Sequence, residues 1–153
     1  MQQRRVSMPT GVEVRQIDES EAGLYAQISV LGWGMPPDAA VELEQDVHFC
    51  LSEPEMKYYV AFVGVQPAGT AALRLLPGRG YLLGASVAPD FRRRGAYRAL
   101  LSARLRDLAA WNLSLTVTLA LQETSAQICE SLGFRTVCNF EHLRWSPEAS
   151  SQG

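Results

Sequence analysis

The sequence predicts an α+β fold built on an antiparallel meander, and three observations carry that prediction. Three consecutive apolar runs, Tyr58 to Val65, Thr70 to Leu76 and Tyr81 to Val87, are separated by turn segments at 66–69 and 77–80, the pattern of neighbouring strands joined as hairpins. The third run leads into a proline, three arginines and a glycine, and a helix follows at once (SVAPDFRRRGAYRALL, Ser86 to Leu101). Beyond that helix, Leu113, Leu115, Val117, Leu119 and Leu121 alternate with Ser114, Thr116, Thr118 and Ala120, the period of two that marks a strand.

The remaining elements follow in chain order. Val12 to Ile17 alternates and predicts a first strand. Asp18 and Glu21 spell a capping box, after which Leu24, Ile28 and Leu31 mark one face of a helix ending near Gly32-Trp33-Gly34. Pro36-Pro37 breaks the chain, and Asp38 is placed to cap a second helix with Ala40, Leu43, Val47, Cys50 and Leu51 inward. The central helix puts Tyr97, Leu100, Leu101, Leu105, Leu108 and Trp111 on one side, with Arg98, Ser102 and Arg106 on the other. QETSAQICESLGF reads as a short helix stopped by Gly133, since glycine readily takes the left-handed conformation of a helix end. Phe134 to Val137 and Phe140 to Trp145 predict two closing strands. Repeats and low-complexity stretches are absent, so residues 11–146 are expected as a single domain, with 1–10 and 147–153 as flexible ends.

With 153 residues, 47% hydrophobic and 20% charged, the chain is long enough for a buried core and ordinary for a globular protein. A net charge of −2 supplies no global positive field for nucleic acid. The arginines at 92 to 94 lack the interleaved aromatics and wider basic surface of a nucleic-acid site. Cys50, Cys129 and Cys138 show no CxxC spacing, and His48 and His142 stand far apart, so buried reduced thiols are expected rather than a metal. No apolar run follows the N-terminal arginines and no stretch approaches membrane-spanning length; a cytoplasmic location is the expectation. A P-loop, a GxGxxG fingerprint and a GxSxG elbow are all missing, and two histidines give a hydrolase triad little support.

What remains is the turn before the central helix. N–H groups at a helix start lack intrahelical partners and carry the positive end of the helix dipole. Such a turn cradles an anion, phosphate above all, and flanking arginines add charge-assisted contacts. A plain strand-to-helix turn with solvated arginines fits this stretch alone equally well.

The order strand, anion turn, helix, strand, helix, Leu-Gly-Phe resembles the GNAT superfamily of acetyl-CoA-dependent N-acetyltransferases. The resemblance is close over Tyr81 to Val137 and is one of element order elsewhere. The family's phosphate loop reads Gln or Arg, two residues, Gly, one residue, then Gly or Ala, usually after Val-x-Pro. Here Val87, Ala88 and Pro89 stand in front, and Arg92 and Gly95 match. Tyr97 departs from the small residue usual there, so its ring must point aside. In the second motif Gln122 takes the place of an Asn and Ser125 that of an Ala. Cys129 stands where the family often has the Tyr that serves as general acid, which leaves Cys129 a weak catalytic candidate.

The resemblance implies a central mixed, mostly antiparallel sheet of about six or seven strands. Helices cover both faces, and the strands around 81–87 and 113–121 splay apart. It implies acetyl-CoA as acetyl donor and no metal. The pantetheine arm would pair with backbone at Ala85, Ser86 and Val87. The pyrophosphate would sit on the N–H groups of Arg93, Arg94, Gly95, Ala96, Tyr97 and Arg98, with Arg92 beside them and Gln122 and Ser125 opposite. The implied activity is N-acetylation of a primary amine of a small molecule or peptide by direct attack in a ternary complex. A backbone N–H near Val87 would stabilise the carbonyl oxygen. The alternative is a non-catalytic acyl-CoA-binding or interaction domain, favoured by the missing Tyr and by a strand, YLLGASV, without a carboxylate. No base is assigned: Glu123 reads first as a complement to a helix dipole. Trp33 either lines the amine pocket or plugs the core, with the core slightly favoured. Neither nucleic acid nor membrane is expected as partner, and a homodimer is compatible with the reading.

Overall fold

The computed structural model describes residues 8–143 and Trp145. Five strands form one sheet in the order β1-β2-β3-β4-β5. β1 (Val12–Gln16), β2 (Met56–Val63), β3 (Gln66–Leu76) and β4 (Arg79–Val87) pair antiparallel with their neighbours, and β5 (Leu115–Thr118) lies parallel to β4. A parallel neighbour needs a crossover, which α3 (Ala96–Ala110) supplies. α1 (Ala22–Trp33) and α2 (Ala39–Leu51) fall between β1 and β2, and α4 (Ser125–Ser131) follows β5.

The period of two divides the core between the two faces of the sheet. Tyr59, Ala61, Ala71, Leu73 and Leu82 point to one side, against Leu100, Leu101 and Leu108 of α3 and Cys129 of α4. Tyr58, Val60 and Ala72 point to the other, against Ala22 and Tyr25 of α1 and Val47 of α2. Helices therefore cover both faces, as expected. Tyr58 and Tyr59 are both buried, on opposite sides. Local signals hold as well. Asp18 accepts from the Ser20 N–H at 2.9 Å and Glu21 reaches back to the Asp18 N–H, which forms the capping box ahead of α1. Gly34 ends α1 at φ 65°, and Gly133 ends α4 at φ 99°.

Several expectations are corrected. The β2–β3 turn lies at Gly64-Val65 rather than 66–69, because Gly64 takes φ 61° and so closes a tight hairpin. The two closing strands are not formed among the described residues. A strand exists only through its ladder bonds, and residues 134–143 pair with no strand among the described residues, leaving Val137, Phe140 and Leu143 exposed; residue 144, in the second expected strand, lies outside the described residues. Among the described residues the sheet thus has five strands, not six or seven. Asp38 makes no side-chain cap bond. On α3, Ser102 is buried, its hydroxyl donating to the Arg98 carbonyl at 2.7 Å, while Trp111 is exposed. The helix is enclosed on more sides than one amphipathic stripe implies. Pro9 packs over Gly95; residues 1–7 and 147–153, which make up most of the expected flexible ends, lie outside the described residues. Among those residues no helix is long and apolar enough to cross a membrane.

Candidate functional site

β4 and β5 pair only from Arg79↔Leu115 to Leu82↔Thr118. Thr118 closes the apex, its hydroxyl donating to the Leu82 carbonyl at 3.2 Å. Beyond that point β4 continues to Val87 along β3 while the other chain turns away into α4, so the β5-facing edge of β4 has no strand partner. β4 also slips against β3 here: Ala72↔Leu83 is followed by Thr70↔Ser86, two steps on β3 against three on β4. This is a bulge, and Gly84 accommodates it at φ 35°. The wedge opens into a cleft of about 1040 Å³ lined by Leu83 to Val87, the start of α3, Thr118, Leu119 and the first residues of α4.

The turn from β4 into α3 forms the wide mouth. Gly95 stands at the N-cap with φ 86°, and the first backbone bond of the helix runs from the Ala99 N–H to its carbonyl at 2.9 Å. The N–H groups of Arg93 to Arg98 have no backbone acceptor among the described residues, and Arg93, Gly95, Ala96, Tyr97 and Arg98 line the cleft there. A Cβ on Gly95 would meet the Pro9 ring at 2.8 Å. Glycine is thus required by φ and by Pro9 as much as by any ligand.

The expected site residues separate. Ala85, Ser86, Val87, Arg92, Arg93, Gly95, Ala96, Tyr97, Arg98 and Ser125 all line the cleft. Arg94 and Gln122 do not; the Arg94 guanidinium lies over the Phe91 ring at 5.6 Å. Arg92 spends its donors within the protein, Nη2 on the Gly32 carbonyl at 3.2 Å and Nε on the Val87 carbonyl at 3.3 Å. It straps the end of α1 to the end of β4. Arg93 and Arg98 are the exposed cations at the mouth that no such bond engages.

Tyr97 turns its ring aside toward α4, where its hydroxyl lies 3.9 Å from the Cys129 sulfur, and burial pushes its pKa up to about 12. Cys129 is buried in the core and does not line the cleft; burial raises its thiol above the usual value. Trp33 is 51% exposed and lines the cleft beside Gly32, which corrects the preference for a core plug. Glu123 is the cleft's only lining carboxylate among the described residues.

Two features escaped the sequence reading. Gly32 lies inside α1 at its closest approach to β4, where a Cβ would overlap the Ser86 side chain. Arg104 is buried and still lines the cleft. Its signal was present: position 104 falls within the apolar stripe of Leu100, Leu101, Leu105 and Leu108. No group of three or more His, Cys, Asp or Glu able to hold a metal occurs among the described residues.

Residues 22–134 match the acetyltransferase (GNAT) family. No curated protein matches the sequence. Solved structures do. A Trypanosoma brucei acetyltransferase superposes with a TM-score of 0.70 at 20% identity, over 88% of this chain and 99% of that one. AAC(6')-Iy in complex with a CoA-linked bisubstrate analogue gives 0.68 at 20% identity, over 88% and 98%. The aminoglycoside acetyltransferase meta-AAC0020 from an uncultured soil metagenomic sample, bound to sisomicin, gives 0.69 at 12% identity, over 89% and 96%. At such identities the likeness is one of fold.

Proposed function

This chain belongs to the acetyltransferase (GNAT) family, and from that premise we propose that it acetylates a primary amine of a small molecule or peptide, with acetyl-CoA and the amine held together in one cleft. The observation that carries the reading is the wedge between β4 and β5, with an unpaired strand edge on one side and an unpaired helix start at its mouth.

The residues divide the work. The N–H groups at the start of α3, with Arg93 and Arg98, take the pyrophosphate. The free edge of β4 from Leu83 to Val87 hydrogen-bonds the amide-bearing arm as an added strand would. Backbone N–H groups at the bulge point donors at the thioester oxygen, where charge develops in the transition state. The donor supplies the acyl group as an activated thioester. The amine nitrogen bonds to the carbonyl carbon, and the carbon–sulfur bond breaks with its electron pair passing to sulfur. The amine proton leaves through water to Glu123, the carboxylate on the cleft wall. Holding both reactants in one cleft supplies much of the rate. Trp33 and the end of α1 border the amine side.

Thiol release from acetyl-CoA across a panel of amines, with calorimetric binding of CoA and acetyl-CoA, tests the proposal. Both nucleotides should bind with similar affinity, since most contacts fall on the phosphates and arm, and at least one amine should release thiol. Binding without release from any amine favours the non-catalytic reading. Absence of binding at millimolar nucleotide refutes the donor site.

A further inference from the structure

Arg104 is a charge without a counter-ion. Its side chain is 2% exposed, and no carboxylate of the described residues lies within ion-pair distance of it. Nε donates to the Leu100 carbonyl at 3.1 Å; Nη1 donates to the carbonyls of Ala72 at 3.0 Å and Leu83 at 3.2 Å. Those last two carbonyls belong to the pair at which β4 slips against β3. Nη2 bonds to no described residue, yet among those residues no fully buried side-chain nitrogen or oxygen lacks a partner. Nη2 therefore retains some accessible surface, and the cleft is the cavity that Arg104 lines.

The ionisable groups facing it are Tyr97 on its own helix, Tyr25 on α1, Tyr59 on β2 and Cys129 on α4. All are acids that are neutral near pH 7. Asp107 is occupied with Tyr59 and Gln16. Holding a guanidinium here without an anion is costly, and three carbonyls offset only part of that cost.

Depth along the cleft indicates what meets this charge. Arg104 lies about 13 Å along α3 from Gly95, at about 1.5 Å per residue. Leu83 lies about 13 Å back along β4 from Val87, at about 3.3 Å per residue. Both mark the closed end, opposite the phosphate mouth, where an arm laid along β4 brings its sulfur. We propose that Arg104 is an anion-binding residue for the sulfur end of the donor, stabilising the CoA thiolate as the carbon–sulfur electron pair passes to sulfur. A stabilised thiolate needs no proton from a general acid during bond cleavage, consistent with Cys129 lying outside the cleft.

This inference rests on the donor site proposed above, and its test separates the two. CoA and desulfo-CoA, which lacks only the thiol, are titrated into the full chain from pH 6 to 9 by calorimetry. A cysteine thiol ionises near pH 8.5, and the free CoA thiol is no stronger an acid. If the bound thiol ionises lower, the affinity of CoA relative to desulfo-CoA rises with pH, approaching roughly tenfold per unit between the bound and free values. Titration of protein groups common to both complexes cancels in that ratio. Arg104→Met, which keeps much of the volume and removes the charge, should abolish the rise; Arg104→Lys should retain part of it. If Arg104→Met does not fold, the wild-type ratio alone decides. A flat wild-type ratio overturns the inference and leaves the donor site standing. Binding of neither nucleotide removes the donor site itself. An Arg104-dependent preference of tenfold or more for malonyl-CoA over acetyl-CoA also overturns it, by giving the charge to an acyl carboxylate.

Discussion

Gly32→Ala tests whether α1 and β4 touch as closely as the structure shows. In a helix interior alanine is favoured over glycine by about 1 kcal/mol, so without a neighbour the substitution would stabilise the protein. Here the new Cβ would overlap the Ser86 hydroxyl, lie 2.7 Å from the Ser86 Cβ and 3.1 Å from the Val87 nitrogen. Two of those three are on or next to the backbone and cannot swing away. Overpacking of this kind costs about 1–3 kcal/mol, so the sign reverses and a net loss of about 1–2 kcal/mol is expected. Ser86→Gly removes both Ser86 contacts. By itself it costs about 1–2 kcal/mol, from the lost hydroxyl bond to Thr70, at 3.2 Å, and from glycine in a strand. The double variant should then be more stable than the sum of the singles predicts, by at least about 1 kcal/mol. Urea unfolding of the four proteins measures this. A neutral or stabilising Gly32→Ala, or additivity within about 0.5 kcal/mol, refutes the contact. CoA affinity should fall with Gly32→Ala as well, because the wedge displaces the Ser86–Val87 edge that lines the cleft.

Three further outcomes are expected. Glu123→Gln should lower kcat about a hundredfold at neutral pH while leaving CoA affinity unchanged; unchanged turnover removes Glu123 as proton acceptor. Cys129→Ala should keep most of the turnover and lose modest stability from a small cavity. A kcat drop of about a thousandfold, the size expected when a general acid is lost, would make Cys129 that acid after all. Burial pushes the Tyr25 phenol up to about 12. Its contribution to stability is complete below about pH 10, where the unfolded phenol is still neutral, and is lost as pH rises toward 12, amounting to about 2–3 kcal/mol. Urea unfolding at pH 9 and pH 11 should show Tyr25→Phe losing less stability over that interval than the parent; equal losses refute the assignment.

The parts of this protein legible in the sequence are those whose signal is local. The Asp18–Glu21 box, the glycine stop at Gly133 and the apolar runs of β2 to β4 each depend on neighbours close in the chain, and each is in place. The turn from β4 into α3 was legible for the same reason. Signals that need a distant partner were misread. The apolar residues Phe134, Val137, Phe140 and Leu143 read as closing strands, but they fall three apart rather than two, and no ladder partner is present for the described residues. Trp33 reads as pocket or core with the core slightly favoured, yet it lies exposed just ahead of the left-handed Gly34 and lines the cleft. The match to the loop motif places Arg92 at the phosphate, and an N–H in the same turn places Arg94 there; their side chains go, respectively, to carbonyls of α1 and β4 and over Phe91, which no local pattern indicates.

The cleft itself arises where regularity fails, which is why composition and periodicity do not reveal it. Gly84 at positive φ lets β4 take one residue more than β3, and the slip sits just beyond the last β4–β5 pair at Leu82↔Thr118. Ala72 and Leu83 are the last regular β3–β4 pair before that slip. Their carbonyls accept from Arg104, and the guanidinium is thereby held at the depth where the unpaired edge begins. One irregularity in β4 thus exposes the edge that would bind the arm and seats the charge that would receive its sulfur. The Gly84-Ala85 step and Arg104 lie about twenty residues apart in sequence, a separation that only the crossover through α3 closes.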